Sequence, residues 1–167
     1  MKKILIFLYT TLFYTITANG QNFFFINEES YSCSETFTLQ SNSDDPDVND
    51  LNVILAKDGT TAIFIVSTKI VSTVRISGKL IIYLDDGTVI SCIDRGIKDN
   101  VDDIASTAYQ LTNEELGKMK KSNINTVRYE IKCAECLINL YEGNYTASNK
   151  GSSKTDFPVL ISDFFEN

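Results

Sequence analysis

Leu51-Asn-Val-Ile-Leu-Ala-Lys-Asp58-Gly59-Thr60-Thr61-Ala-Ile-Phe-Ile-Val66 joins two apolar runs through an Asp-Gly pair. The second run is rich in β-branched residues, which favour a pleated, packed surface. Asp-Gly between such runs is a strong hairpin signal, because the turns that suit twisted strands need positive φ. The pattern returns at Lys79 to Leu84, Asp86-Gly87 and Thr88 to Ile93, 28 positions later. The match of Val53-Ile54-Leu55 and Asp58-Gly59-Thr60 with Ile81-Ile82-Tyr83 and Asp86-Gly87-Thr88 makes an internal duplication a candidate reading. Two hairpins in 43 residues predict an antiparallel β protein.

The neighbouring segments extend that prediction. Gln21 to Ile26 contains Phe23, Phe24 and Phe25 in a row and reads as a strand buried on both faces. From Cys33 to Leu39 the residues alternate, with Cys33, Phe37 and Leu39 on one side. Gln40 to Asp50 reads as a long acidic loop around Pro46. Ile70 to Ile76 is expected to be a strand ended by Ser77-Gly78. Asp94 to Asp103 reads as a second acidic loop, and Ile104 to Gln110 as a strand. Val127, Tyr129, Ile131 and Cys133 alternate with Arg128, Glu130 and Lys132, the mark of a strand with one buried face. Leu137 to Tyr141 is read as its continuation, and Gly143 to Thr155 as a polar loop.

Two helices are expected. Thr112-Asn-Glu-Glu115 is a capping box, in which hydroxyl and carboxylate satisfy orphan amides reciprocally. Leu111 and Leu116 stand at the staple positions, and Lys118, Lys120 and Lys121 suit the negative end of the helix dipole. Near the C-terminus, Phe157, Leu160, Ile161 and Phe164 form a helical stripe, with Pro158 tolerated in the first turn. The expected fold class is mainly β (α+β): an antiparallel sheet or β-sandwich with one or two short helices.

Residues 1–20 carry an address. Lys2 and Lys3 precede an apolar run from Ile4 to Ile16, and Ala18-Asn19-Gly20 places small residues at a cleavage site. This is the order of a secretory signal peptide, with cleavage expected near Gly20–Gln21. The run is shorter than the roughly 18–20 apolar residues of a membrane span. The expected mature chain, 21–167, is then one exported β-rich domain in the periplasm, on the cell surface or outside the cell. Removing two lysines leaves 13 basic against 22 acidic residues, so the net charge moves from −7 to −9. Such a charge repels phosphate backbones, so nucleic acid is not an expected partner. No second apolar stretch is long enough to span a bilayer. A protein or glycan partner is expected, and no cofactor.

The chain has no histidine. Ser-His-Asp and Cys-His catalysis and histidine-rich zinc centres therefore have no imidazole to use. After export the four cysteines are expected to form structural disulfides, paired as Cys133–Cys136 and Cys33–Cys92. Closing the longer loop would stabilise the fold by about 4 kcal/mol in the chain-entropy model. The alternative for Cys133-Ala-Glu-Cys136 is thiol-redox chemistry. Glu135 opposes it, since a neighbouring carboxylate raises a thiol pKa, and a four-cysteine zinc site normally has two such motifs. Asp45, Asp47 and Asn49 match the first three ligand positions of an EF-hand loop. The match fails further on, at Asp50 and Ala56, so a solvated loop and no metal are expected, with an irregular calcium site involving Asp99, Asp102 or Asp103 as the alternative.

A carboxylate pair for glycoside hydrolysis is the remaining enzymatic alternative, though nothing singles out a pair. Tyr31, Tyr83, Tyr109, Tyr129, Tyr141 and Tyr145 are candidate sugar platforms or, more simply, strand packing. Asn144-Tyr145-Thr146 is a glycosylation sequon. No phosphate loop, nucleophile elbow or dinucleotide fingerprint is present.

Ala108-Tyr109-Gln-Leu-Thr112-Asn-Glu-Glu115-Leu116, Lys118 to Lys121 and Ile124-Asn-Thr-Val127-Arg128-Tyr129 form an extended segment, a capped lysine-rich helix and a strand. This run resembles a module of small exported bacterial proteins, in which an upstream Asp-Gly hairpin and a short terminal helix recur. The resemblance spans about half the mature chain. It implies an exported β-rich domain and carries over no activity and no functional residue. The expected function is that of an exported, non-enzymatic binding or cell-envelope interaction domain.

Overall fold

The computed structural model describes residues 22–26, 28–70, 74–133, 142–151 and 154–166. The expected leader, the Leu137 to Tyr141 strand and Cys136 lie outside them. Among the described residues, eleven antiparallel strands and two helices follow in chain order. They are β1 (Asn22–Ile26), β2 (Glu29–Cys33), β3 (Phe37–Ser41), β4 (Leu51–Asp58), β5 (Thr61–Lys69), β6 (Val74–Leu84) and β7 (Val89–Cys92). Then come β8 (Lys98–Val101), β9 (Ile104–Leu111), α1 (Asn113–Met119), β10 (Ile124–Cys133), β11 (Gly143–Ser148) and α2 (Phe157–Glu166). The fold is mainly β with two short helices, as the alternation and turn residues predict.

Strand order is β7-β6-β10-β11-β3-β4-β5-β9-β8, with the β1–β2 hairpin joined to β4. β3 is the corner. Its Phe37 to Leu39 pair with β4, whereas Gln40 and Ser41 pair with β11. The sheet thus folds over at β3, and its two wings face one another. At the opposite side the wings meet through side chains. Thr107 Oγ1 donates to Ile76 O at 2.7 Å, and Asn100 Nδ2 to Val74 O at 2.5 Å. Leu51, Val53 and Leu55 of β4, Phe64 and Val66 of β5, and Ile76 and Ile82 of β6 are buried between the wings. Each such side chain contributes about 1.5–3 kcal/mol by leaving water.

β4 and β5 are apolar on both faces. Ile54, Ala56, Ile63 and Ile65 point outward and form a second cluster under the β1–β2 hairpin, with Ile26, Tyr31 and Cys33. Continuous apolar sequence in Leu51–Val66 therefore means a layer covered on both sides.

The two Asp-Gly turns are not equivalent. Asp58 opposes Thr61, so the turn is Gly59-Thr60, and only Gly59 has positive φ (56°). In the second hairpin the Gly87 N–H donates to Leu84 O and the Leu84 N–H to Thr88 O. That is a three-residue connection with Gly87 at φ 85°. The shared dipeptide makes two different turns.

Three further expectations change. β6 does not end at Ser77-Gly78. It runs on to Leu84 and bends at Gly78, where φ is 77° and the pairing with β10 shifts register. A Cβ at Gly78 would collide with the Glu130 carboxylate. The expected loop from Asp94 contains β8, and the expected polar loop from Gly143 opens with β11. Short strands with mixed polarity leave little periodicity to read. The capping box is present, with the Glu115 N–H donating to Thr112 Oγ1 and the Thr112 N–H to Glu115 Oε2. Asn149 is buried and ties α2 to the sheet, donating to Ile124 O and Thr155 O and accepting from the Thr155 N–H.

Candidate functional site

β1 pairs only with β2 among the described residues, so one edge of β1 carries no strand. Its side chains divide by alternation. Ile26 is buried and Phe24 packs on the outer cluster, whereas Phe23 is 55% and Phe25 69% exposed. The reading of Phe23–Phe25 as a strand buried on both faces is therefore corrected: β1 is the outermost layer, and nothing in the chain's described part lies over it. Ile26 opposes Glu29 across a two-residue connection. A connection of that length closes on a hydrogen-bonded pair, and alternation then turns the N–H and C=O of Phe23 and Phe25 toward the open edge.

A cleft of about 490 Å³ adjoins the end of this edge. Ile26, Tyr31, Glu28 and Glu29 line one side, and the 95–97 loop faces them with Arg95 and Ile97. Ile26 and Ile97 belong to the outer apolar cluster, so the floor is apolar and the rim charged. The Tyr31 hydroxyl donates to Glu29 Oε2 at 2.9 Å. Burial raises the Tyr31 pKa, and the hydrogen bond and charge of Glu29 and the charge of Asp58 raise it further.

A second polar cluster closes the gap between the wings. Asp94 Oδ2 accepts from Lys98 Nζ at 2.9 Å, the Gly78 N–H at 3.0 Å and Ser77 Oγ at 3.2 Å. Lys98 Nζ also donates to Ser77 Oγ at 3.0 Å. Burial works to raise the Asp94 carboxyl, but the bonds from Lys98 and the Gly96 and Gly78 amides outweigh it and hold the carboxyl low. Ser77 and Gly78 lie on β6 and Lys98 on β8, so the cluster reads as a brace between β6 and β8.

The structure sorts the other candidates. Cys33 and Cys92 are free thiols. Cys33 lies in the outer cluster and Cys92 between the wings, with the β4–β5–β9 layer dividing them. The expected bridge between them is therefore not made. The alternation that put Cys33 with Phe37 and Leu39 is broken at residues 34–36. There the Ser34 N–H donates to Leu55 O, and Ser34 Oγ accepts from the Leu55 N–H. Burial, followed by the charge of Glu115, pushes the Cys92 thiol up to about 12, far from a reactive thiolate. Cys133 ends β10, and the Cys133–Cys136 pairing and its redox alternative lie outside the described residues.

Two of the calcium candidates make bonds that shape and anchor their loop. Asp45 Oδ1 accepts from the Asp47 N–H, and Asn49 Nδ2 donates to Lys69 O. The Asp102-Asp103 turn does come close, since the Ile70 N–H donates to Asp103 O. The carboxylates still do not converge: no group of three metal-ligating side chains forms among the described residues. Asp102 and Asp103 instead take φ values of 53° and 62° and make the β8–β9 turn. The sequence predicts β9 from Ile104 but neither β8 nor this turn, although Asp is among the few residues that tolerate the left-handed region.

The carboxyls that are clearly displaced, Asp86, Asp94 and Glu114, all move down. That direction suits a permanent charge rather than a proton donor. Tyr31, Tyr109 and Tyr129 are buried, Tyr83 and Tyr145 half-buried, and Tyr141 lies outside the described residues. Tyr145 stacks on Tyr129 at 5.9 Å instead of facing solvent as a sugar platform. The large exposed aromatics are Phe23 and Phe25. Among the described residues no helix is long and apolar enough to cross a membrane. No protein family, no curated protein and no solved structure matches this chain. The site is therefore read from its own chemistry.

Proposed function

We propose that this chain is an exported, non-enzymatic interaction domain that binds an extended segment of a partner protein along β1. The unpaired edge of β1, flanked by exposed Phe23 and Phe25, is the observation that carries this reading. Soluble proteins blunt open edges with charge, proline or cover, because bare N–H and C=O groups recruit other strands. β1 has none of these devices in Asn22-Phe-Phe-Phe-Ile26. Strand addition uses such an edge: main-chain bonds supply affinity and alternate side chains specificity. The leader-like residues 1–20 support export and a partner met outside the cytoplasm.

Panning a display library of linear peptides against the purified protein tests the proposal. Peptides enriched by the wild type should lose binding to Phe25→Pro, which removes one edge N–H, while Phe25→Ala should retain part of it. Proline is tolerated on an edge strand where its nitrogen faces solvent, so the fold should survive, which circular dichroism checks. Equal binding to wild type and Phe25→Pro would refute strand addition at β1.

A further inference from the structure

We infer that the cleft at the end of β1 selects a basic side chain, lysine or arginine, on the incoming strand. This deepens the strand-addition reading and rests on it. The incoming strand would run along β1 toward Ile26, where Glu28 and Glu29 stand at the cleft rim over the apolar floor of Ile26 and Ile97. Asp58 adds to the same field, since its charge, with that of Glu29, reaches the Tyr31 hydroxyl. The basic residue next to Asp58 in sequence does not offset it. Lys57 is turned to the other face, its Nζ 4.8 Å from the Phe164 ring centroid. Arg95 is the single basic side chain in the cleft lining, against two carboxylates. A long aliphatic stem with a terminal cation matches an apolar floor under an acidic rim, because the stem packs while the charge stays at the water. The whole chain, at −7, also steers cations toward it.

Three fluorescent heptapeptides of alternating valine with lysine, glutamate or serine separate this inference from the reading beneath it. Fluorescence anisotropy gives the Kd for each against wild type, Glu28→Gln/Glu29→Gln, Glu114→Gln and Phe25→Pro. The lysine peptide should bind wild type about tenfold more tightly than the serine peptide. That preference should shrink severalfold in Glu28→Gln/Glu29→Gln and persist in Glu114→Gln, where an acid far from the cleft is lost. Serine-peptide binding should be unchanged by Glu114→Gln and lost in Phe25→Pro. Serine-peptide binding with no lysine preference would overturn the cation site and leave strand addition standing. A lysine preference untouched by Glu28→Gln/Glu29→Gln would overturn it too, as bulk charge alone. No binding by any peptide would overturn both.

Discussion

The two faces of the β4–β5–β9 layer differ in how completely the chain covers them. Toward the inside, Leu55, Phe64 and Tyr109 meet β6 and β10 across a closed core, and α1 and α2 seal its rim. Toward the outside, Ile54, Ile63 and Ile65 meet the β1–β2 hairpin and Ile97; the hairpin is held to β4 through Ser32 and Cys33 and, among the described residues, leaves an edge open. The inner face is finished by the chain itself. Among the described residues, the outer face ends in exposed phenylalanines and unpaired backbone groups. Stability and binding are thus assigned to opposite sides of one layer, and substitutions on each side should separate them.

The largest effect belongs to the inner core. Phe64→Ala should cost about 3–5 kcal/mol in urea unfolding, through lost burial and the cavity left behind. Ile26→Ala, on the ribbon, should cost less and leave the main transition intact; equal losses would mean that the ribbon folds with the core, and the contrast would fail.

Next is the brace between the wings. Asp94→Asn should cost about 1–3 kcal/mol, because Lys98 loses its countercharge in a half-buried site. The Asp94 carboxyl is lower folded than unfolded. Its contribution is therefore full above the ordinary carboxylate range and disappears as pH falls through the folded value. Asp94→Asn should accordingly flatten the acid limb of a stability–pH curve, and an unchanged acid limb would count against the brace.

Smaller still is Tyr129→Phe. The Tyr129 hydroxyl is buried and has no hydrogen-bond partner among the described residues. Removing it should leave the melting temperature unchanged or raise it, since a buried unpaired hydroxyl is a cost of about 1–3 kcal/mol. A clear drop would show that the hydroxyl has a partner in solution.

The smallest stability change falls on the ribbon surface. Phe23→Ser/Phe25→Ser should stay within about 0.5 kcal/mol of wild type, as exposed sites do, while abolishing peptide capture. Native thiol labelling gives a further check on the two faces: Cys33, under the ribbon, should react before Cys92, which burial holds in the thiol form.

Much of the inner face was legible in the sequence. The β4–β5 hairpin, the alternation of β10, the Thr112–Glu115 capping box and the stripe of α2 are local patterns, and each stands where its periodicity places it. The outer face was not legible. Whether Phe23 and Phe25 are covered depends on which strand lies beyond them, a question of topology that no period of two answers. The Cys33–Cys92 expectation failed for the same reason: which side of the β4–β5–β9 layer each cysteine occupies is a matter of topology, and the two lie in different clusters.

What the sequence by itself determined is the class of the protein. Apolar runs, turn residues and caps act within a few residues of one another, and they are enough to specify antiparallel strands, two helices and, without histidine, the exclusion of imidazole chemistry. Only the tertiary structure decided which wing each strand joins, that β3 is the corner, that Asp94 and Lys98 brace β6, and that β1 is left as an open edge. Those outcomes depend on contacts between residues far apart in the chain. Their energies are set by burial and geometry after the sheet has folded over, and no local pattern records them.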